Sequence, residues 1–174
     1  MTQAAGPEPL PVGERAPDFV LRDQHGADVA SADLRGRPCL VVFYPFAFSG
    51  VCTSELRELA ADLTQGGALS RALDAVDATL VAVSCDPVFT QRAFADVEGL
   101  PFPLLSDFWP HGAVAAGFGV LDPERGAPRR SSFLLDGAGT VRWGLHHATS
   151  RPRSVAAHVA GLAAVDGGST TPAG

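Results

Sequence analysis

Three cysteines and five histidines are the side chains of this 174-residue chain best suited to act as nucleophiles or soft metal ligands. They form no metal-binding pattern: no Cys-x-x-Cys occurs, and His146 and His147, neighbours on a strand-like run, would point to opposite faces. An odd, sparse set of cysteines without regular spacing is no disulfide framework either, so each thiol is either a small buried hydrophobe or a reactive centre. Cys52 has the setting for reactivity. It falls in the first turn of a helix that begins around Gly50 to Thr53, where unsatisfied backbone N–H groups and the positive end of the helix dipole lie beside the sulfur. A free cysteine titrates at about 8.5, and helix N-termini with a nearby Arg lower this to between about 3.5 and 7.5, so the thiolate is favoured there. The competing reading is a buried, inert cysteine filling a strand-to-helix junction. Ser49, three residues earlier, reads on its own as a helix N-cap.

A strand must deliver the chain to that helix. Cys39 to Tyr44 is a continuous apolar run of β-branched and aromatic residues, the pattern of a strand buried on both faces. Pro45 ends it. Leu56, Leu59, Ala60 and Leu63 then recur at helical spacing and give the following helix one apolar face. Thr79 to Ser84 predicts a second strand, and Asp86 and Pro87 an N-cap and first residue for a helix running to about Val97. Pro101 to Pro110 reads as a loop, His111 to Gly117 as a short helix and Asp122 to Pro128 as another loop. Arg130 to Leu135 and Thr140 to Leu145 are strand-like and joined by Asp136-Gly137-Ala138-Gly139, a strong hairpin signal. Pro152 opens a last helix with Val155, Val159 and Leu162 on one face. Ahead of all these, Asp18 to Asp23 and Ala27 to Ala30 flank Gln24-His25-Gly26 as a hairpin, with a helical turn near Leu34 and Gly36. The order predicts one α/β domain over residues 15–164, with a mixed central sheet flanked by helices, compatible with a thioredoxin-like fold. Residues 1–14 and 165–174, rich in small residues and proline, are expected to be mobile ends.

Composition excludes whole classes of function. The chain is 46% hydrophobic and 18% charged with mean hydropathy +0.14, which is a globule and not a disordered polymer. A net charge of -6 and a pI near 5.2 argue against nucleic acid or an anionic membrane surface as partner. The longest apolar run, Leu40 to Phe48, is nine residues and contains a proline, well short of the roughly 20 of a membrane-spanning helix. Met1 to Glu14 has no basic stretch followed by an apolar segment, so a cytoplasmic protein is expected. All 13 basic side chains are arginine, and Lys, Ile and Asn are absent, which points to a G+C-rich genome. There is no P-loop and no Gly-x-Gly-x-x-Gly after a strand, and no cofactor or metal is expected.

The stretch Pro45-Phe46-Ala47-Phe48-Ser49-Gly50-Val51-Cys52 resembles the peroxiredoxin signature: a proline, Thr or Ser four residues on, and the peroxidatic cysteine three further. Arg130-Ser131-Ser132-Phe133 resembles the family's Arg-x-Ser/Thr-Phe segment, which selects Arg130 over Arg129. Ala16-Pro17-Asp18-Phe19 and Leu104-Leu105-Ser106-Asp107-Phe108-Trp109-Pro110-His111-Gly112 extend the resemblance over the core, and the latter is most similar to the alkyl hydroperoxide reductase E branch, known from actinobacteria. The resemblance implies a thiol-dependent peroxidase that reduces hydrogen peroxide, organic hydroperoxides or peroxynitrite through a Cys52 sulfenic acid. It implies that Arg130 lowers the thiol's proton affinity and grips the peroxide, that the Ser49 hydroxyl bonds both the attacked oxygen and the thiolate, that Pro45 shields the pocket, and that Glu55 orients the arginine. Without the motif, Arg130 would be a solvated loop-end arginine and Glu55 a favourable acid in a first helical turn.

In that branch the sulfenic acid is reduced by an outside thiol. Cys85 lies 33 residues after Cys52, near the spacing of another branch's resolving cysteine, but the local register places that position at about Ala95; the position used by a further branch is Arg57. Cys39 reads as a core residue, and no cysteine follows Cys85. The implied reductant is external, mycothiol with a mycoredoxin or else thioredoxin. Phe46, Phe48, Phe108 and Trp109 either pack the core or form the interface of a homodimer. The competing non-enzymatic function is a redox-sensing or chaperone-like binding protein on the same scaffold.

Overall fold

The computed structural model describes residues 7–147 and 151–166. In chain order the strands are β1 (Val20–Arg22), β2 (Asp28–Ala30), β3 (Cys39–Phe43), β4 (Thr79–Ser84), β5 (Leu104–Ser106), β6 (Leu121–Asp122), β7 (Ala127–Pro128), β8 (Arg130–Leu135) and β9 (Val141–His147). The helices are α1 (Gly50–Gln65), α2 (Ala68–Ala75), α3 (Val88–Glu98), α4 (Ala113–Gly117) and α5 (Val155–Asp166), with a single 3-10 turn over Ser31–Leu34. Seven strands form one mixed sheet in the order β2-β1-β5-β4-β3-β8-β9, and β6 and β7 form a separate small ribbon. β3 pairs in parallel with β4 and β4 with β5, while β3–β8, β8–β9, β1–β5 and β1–β2 are antiparallel.

β3 is central because nothing in it tolerates water: all five residues are buried. Its alternating side chains feed two separate cores. Leu40, Val42 and Tyr44 enter one with Cys52, Leu56 and Leu59 of α1, Leu69 and Leu73 of α2, Phe94 of α3 and Leu162 of α5. Cys39, Val41 and Phe43 enter the other with Phe19, Val83, Val114, Phe118 and Phe133. There Phe43, Phe118 and Phe133 form a triangle with ring centroids 5.0 to 6.0 Å apart at tilted and edge-on angles, the arrangement that ring quadrupoles favour.

Several expected elements differ in detail. The helix after Cys52 runs to Gln65, stops at Gly66 in the left-handed conformation (φ 64°), and is followed by α2, which the sequence reading did not separate. β5 lies inside the segment expected to be loop, a strand of only three residues between prolines. α3 starts at Val88 with Pro87 in the cap position, so Asp86 does not cap it; its carboxylate accepts instead from the Ser84 hydroxyl and the Ala47 N–H, both at 2.8 Å. α5 begins at Val155 rather than Pro152, with the Ser154 hydroxyl accepting from the Ala157 N–H at 3.1 Å. The Asp136 turn forms as expected, its carboxylate accepting from the N–H groups of Ala138 and Thr140.

Of the expected terminal segments, residues 1–6 and 167–174 lie outside the described residues. Residues 7–14 run along the domain, where the Leu10 N–H donates to Phe118 O and the Gly13 N–H to Val141 O. Phe133 anchors β8 in the second core, three residues from Arg130. Phe133→Ala is expected to cost about 3–5 kcal/mol in urea denaturation; a loss under about 1 kcal/mol would mean that the aromatic triangle does not hold that strand.

Candidate active site

α1 starts where it does because the loop before it is held at three points. Pro45, buried, closes the β3 run. The Ala47 N–H is tied to Asp86 at the end of β4. Phe48, a bulky residue at φ 63°, adopts the left-handed conformation that such residues rarely take, and its ring packs on Phe94 at 5.0 Å. The turn brings Ser49 to the cap position of α1, but its hydroxyl makes no cap bond to the helix; the first backbone bond is from Thr53 N–H to Ser49 O at 2.9 Å. The reading of Ser49 as a plain side-chain cap is therefore corrected. The half-buried hydroxyl keeps its hydrogen-bonding capacity at the mouth of the helix.

Cys52 and Glu55 are one turn apart on α1, at the spacing that puts side chains on one face, and both are buried. β8 runs antiparallel to β3 with Ser131 opposite Phe43, so Arg130 emerges at the end of β3 where α1 begins. Its Nη2 donates to the Cys52 sulfur at 3.1 Å and its Nη1 to Glu55 Oε2 at 2.8 Å. Arg130 is 2% exposed, so it is not a solvated loop arginine.

A second arginine completes the cluster, one the sequence reading did not single out. Arg153, on the segment leading into α5, gives Glu55 Oε1 its backbone N–H at 2.8 Å and its Nε at 2.7 Å, and gives Oε2 its Nη2 at 3.0 Å. Its Nη1 donates to Ser132 Oγ at 2.9 Å. With Arg130, Glu55 accepts four hydrogen bonds, as many as a carboxylate's lone pairs accommodate. Burial opposes its ionisation, but the bonds and charge of Arg153, and then the charge of Arg130, outweigh burial and hold the carboxyl below its usual range.

The cluster thus contains two guanidinium cations against one carboxylate. An anion on Cys52 brings this buried group to neutrality. A sulfur so placed, with fixed N–H donors aimed at it, can attack an electrophilic oxygen and have the departing charge stabilised at once. The other two thiols have no such setting. Cys39 opens β3, about 17 Å of strand from Tyr44 at the usual rise per residue, on the opposite face of the sheet from Cys52. Burial pushes its thiol up to about 11. Cys85, close to Gly112 and Leu121, is pushed up to about 12 by burial and by the carboxylates of Asp107 and Asp86. Tyr44 is also in the Cys52 core; its buried hydroxyl makes no hydrogen bond among the described residues, and burial shifts its titration upward.

Comparison with known proteins identifies the family. Residues 12–144 match the model of the AhpC/TSA family. The chain is 40% identical over 135 residues to alkyl hydroperoxide reductase E of Mycobacterium tuberculosis, covering 77% of this chain and 84% of that protein. The chain is a peroxiredoxin. Peroxiredoxin 1 of Brugia malayi is 32% identical over 162 residues, 87% of this chain and 67% of that one. Among solved structures, peroxidoxin BcpB of Mycobacterium tuberculosis superposes with a TM-score of 0.72 at 30% identity, over 90% of this chain and 96% of that. Enterococcus faecalis AhpC gives 0.79 at 25% identity, over 93% and 98%. The fold is the thioredoxin-like fold of this family, and the activity of this peroxiredoxin is that of a thiol-dependent peroxidase.

Glu55 titrates lower in the folded protein than the 4.5 of an unconstrained glutamate. Its ionised form therefore stabilises the fold fully above that pH, and the contribution is lost as the pH falls through the folded value. Glu55→Gln is expected to cost about 3–5 kcal/mol at neutral pH by leaving two buried guanidiniums underpaired. In denaturant titrations the gap to the native protein should narrow as the pH is lowered below the ordinary glutamate range; a gap that does not change with pH would contradict the assignment.

Proposed function

We propose that Cys52 is the peroxidatic nucleophile and that Arg130, Glu55, Ser49 and Pro45 build its pocket. The observation that carries this reading is the 3.1 Å contact between the Arg130 guanidinium and the Cys52 sulfur inside the buried Glu55–Arg153 cluster. The Cys52 thiolate attacks one oxygen of the peroxide along the O–O axis. An S–O bond forms and the O–O bond breaks; the sulfur loses two electrons and becomes a sulfenic acid, and the leaving oxygen takes the electron pair and a proton to depart as water or an alcohol. Arg130 steadies the charge growing on that oxygen, a task for which a fixed, forked donor suits better than an ammonium group. The Ser49 hydroxyl accepts a hydrogen bond from the O–H of the attacked oxygen and donates one to the thiolate, Glu55 keeps Arg130 aimed, and Pro45 keeps water from the sulfur.

The sulfenic acid is resolved by an external thiol. This is supported by Cys39 lying across the sheet and by the raised titration of both Cys39 and Cys85, which disfavours either as an internal attacker. A first thiol condenses with the sulfenic acid to a mixed disulfide and water, and a second thiol releases Cys52 and a disulfide. Mycothiol with a mycoredoxin fits the likeness to the mycobacterial reductase, and thioredoxin is the alternative reductant.

Phe46, Phe48, Phe108 and Trp109 are 41, 49, 50 and 71% exposed, and Phe48 alone of them has a ring contact with a core residue, Phe94. Exposed aromatic side chains, two of them in the loop before Cys52, support a homodimer formed through aromatic contacts. No helix among the described residues is long and apolar enough to cross a membrane, and we place the protein in the cytoplasm.

Reduced protein treated with one equivalent of hydrogen peroxide and trapped with a sulfenic-acid reagent is expected to carry one added oxygen on Cys52, and a supplied low-molecular-weight thiol should restore it over many cycles. Cys52→Ser should take up none, and Arg130→Ala should react about a hundredfold more slowly. Loss of two hydrogens with a Cys52–Cys85 disulfide would replace the external reductant by an internal one. Reaction of Cys52 no faster than a free cysteine would overturn the catalytic assignment.

A further inference from the structure

Beyond the Cys52 cluster lies a buried histidine whose ring nitrogens bond to Ser132 and Ser154 rather than to Cys52 or Arg130. His158, on the first turns of α5, is wholly buried, and both of its ring nitrogens are bonded. Nδ1 lies 2.9 Å from the backbone carbonyl of Ser154 and Nε2 lies 2.9 Å from Ser132 Oγ. Ser132 is next but one to Arg130 on β8, and its oxygen also receives Arg153 Nη1 at 2.9 Å.

Hydrogen-bond accounting fixes the protons. A carbonyl oxygen can only accept, so Nδ1 carries hydrogen. In the neutral ring Nε2 is then bare and accepts. The Ser132 hydroxyl, which already accepts from Arg153, has one proton to give, and Nε2 is the acceptor it meets. The donors therefore point in one direction, from Arg153 to Ser132, from Ser132 to His158 and from His158 to the start of α5. The surroundings of the ring keep it neutral: burial and the charges of Arg153 and His147 disfavour the imidazolium and outweigh the Ser154 carbonyl and Glu55, whose carboxylate is already saturated by the arginines, while Trp143 stands 6.1 Å away.

We propose that His158 is a positioning residue of the reaction, whose bare Nε2 takes the Ser132 proton and so turns the serine oxygen toward Arg153, holding that guanidinium square on Glu55 and thereby Arg130 on the Cys52 sulfur. An apolar residue at 158 would fill the space but leave the serine hydroxyl free to rotate its proton toward Arg153, where it would oppose the guanidinium N–H. The inference rests on the reading of Cys52 and Arg130 as the reacting pair.

Two measurements on the full chain test it. In protein labelled with nitrogen-15 at histidine, His158 is expected at neutral pH as the neutral ring with hydrogen on Nδ1 and none on Nε2. A proton on Nε2, in either the other tautomer or the imidazolium, overturns the proposal without any variant having to fold. In stopped-flow oxidation by hydrogen peroxide, His158→Leu is expected to slow Cys52 roughly five- to tenfold, the scale of a lost hydrogen bond to a charged partner's orienting group. His158→Gln, whose amide oxygen can accept from Ser132, should stay within about twofold of the native rate. Equal slowing in both variants would mean that the ring acts by shape and would overturn the proposal, as would a native rate in His158→Leu. Arg130→Ala separates the two levels: slow Arg130→Ala beside fast His158→Leu sinks this inference alone, whereas Arg130→Ala at the native rate sinks the catalytic reading and this inference together.

Discussion

A single carboxylate, that of Glu55, governs the arrangement of the site. Buried charge is costly unless fully paired, and a carboxylate pulled from water in isolation would sooner take up a proton than remain ionised. Here it gathers donors from two arginines far from it in sequence, Arg130 from the start of β8 and Arg153 from the approach to α5. The charge count is left one positive in excess. Cys52, one turn before Glu55 on the same helix, is the group that can supply the missing negative charge. The pairing of Glu55 with two arginines thus both satisfies the buried carboxylate and leaves a positive charge beside the sulfur.

The remainder of the fold makes that meeting possible. β3 must be buried on both faces to carry the chain straight to the helix start, and its antiparallel partner β8 must be in register for Arg130 to emerge at the same end. The Asp86 carboxylate, reaching from β4 to the Ala47 N–H, fixes the loop between strand and helix. The same sheet separates Cys39 from Cys52, since Cys39 belongs to the core on the other face, while the charges of Asp107 and Asp86 disfavour the anion of Cys85. One cysteine is placed for chemistry and the others are kept from it, which is why oxidising equivalents are expected to leave through an outside thiol.

Much of this was legible in the sequence because the decisive residues lie in short runs. Pro45 to Cys52, with a buried strand before and an amphipathic helix after, is a local signal, and Arg130 could be told from Arg129 by the Ser-Ser-Phe that follows it. Arg153 gave no comparable signal. In a chain whose 13 basic residues are all arginine, one more arginine beside a proline looks like surface, and only the three-dimensional meeting with Glu55, 98 residues away, distinguishes it. His158 was hidden for a related reason, lying within a helix whose alanines and valines read as uniformly apolar. β5 was missed because three residues between prolines carry too little periodicity, and Asp86 because its carboxylate serves a distant loop rather than the helix beside it. Phe48 illustrates the reverse: its type suggested packing or an interface, but not the left-handed backbone it must adopt for the helix to begin where it does.

If the cluster works as proposed, Glu55 acts on the reaction only through Arg130. That dependence is tested most directly by a double-mutant cycle on the rate of Cys52 oxidation by hydrogen peroxide, comparing native protein, Glu55→Gln, Arg130→Ala and the double variant, each first shown to be folded. Glu55→Gln is expected to slow the native protein but to have no further effect once Arg130 is gone, so that the double variant reacts at the rate of Arg130→Ala. Multiplied effects in the double variant, or a native rate in Glu55→Gln, would contradict that dependence.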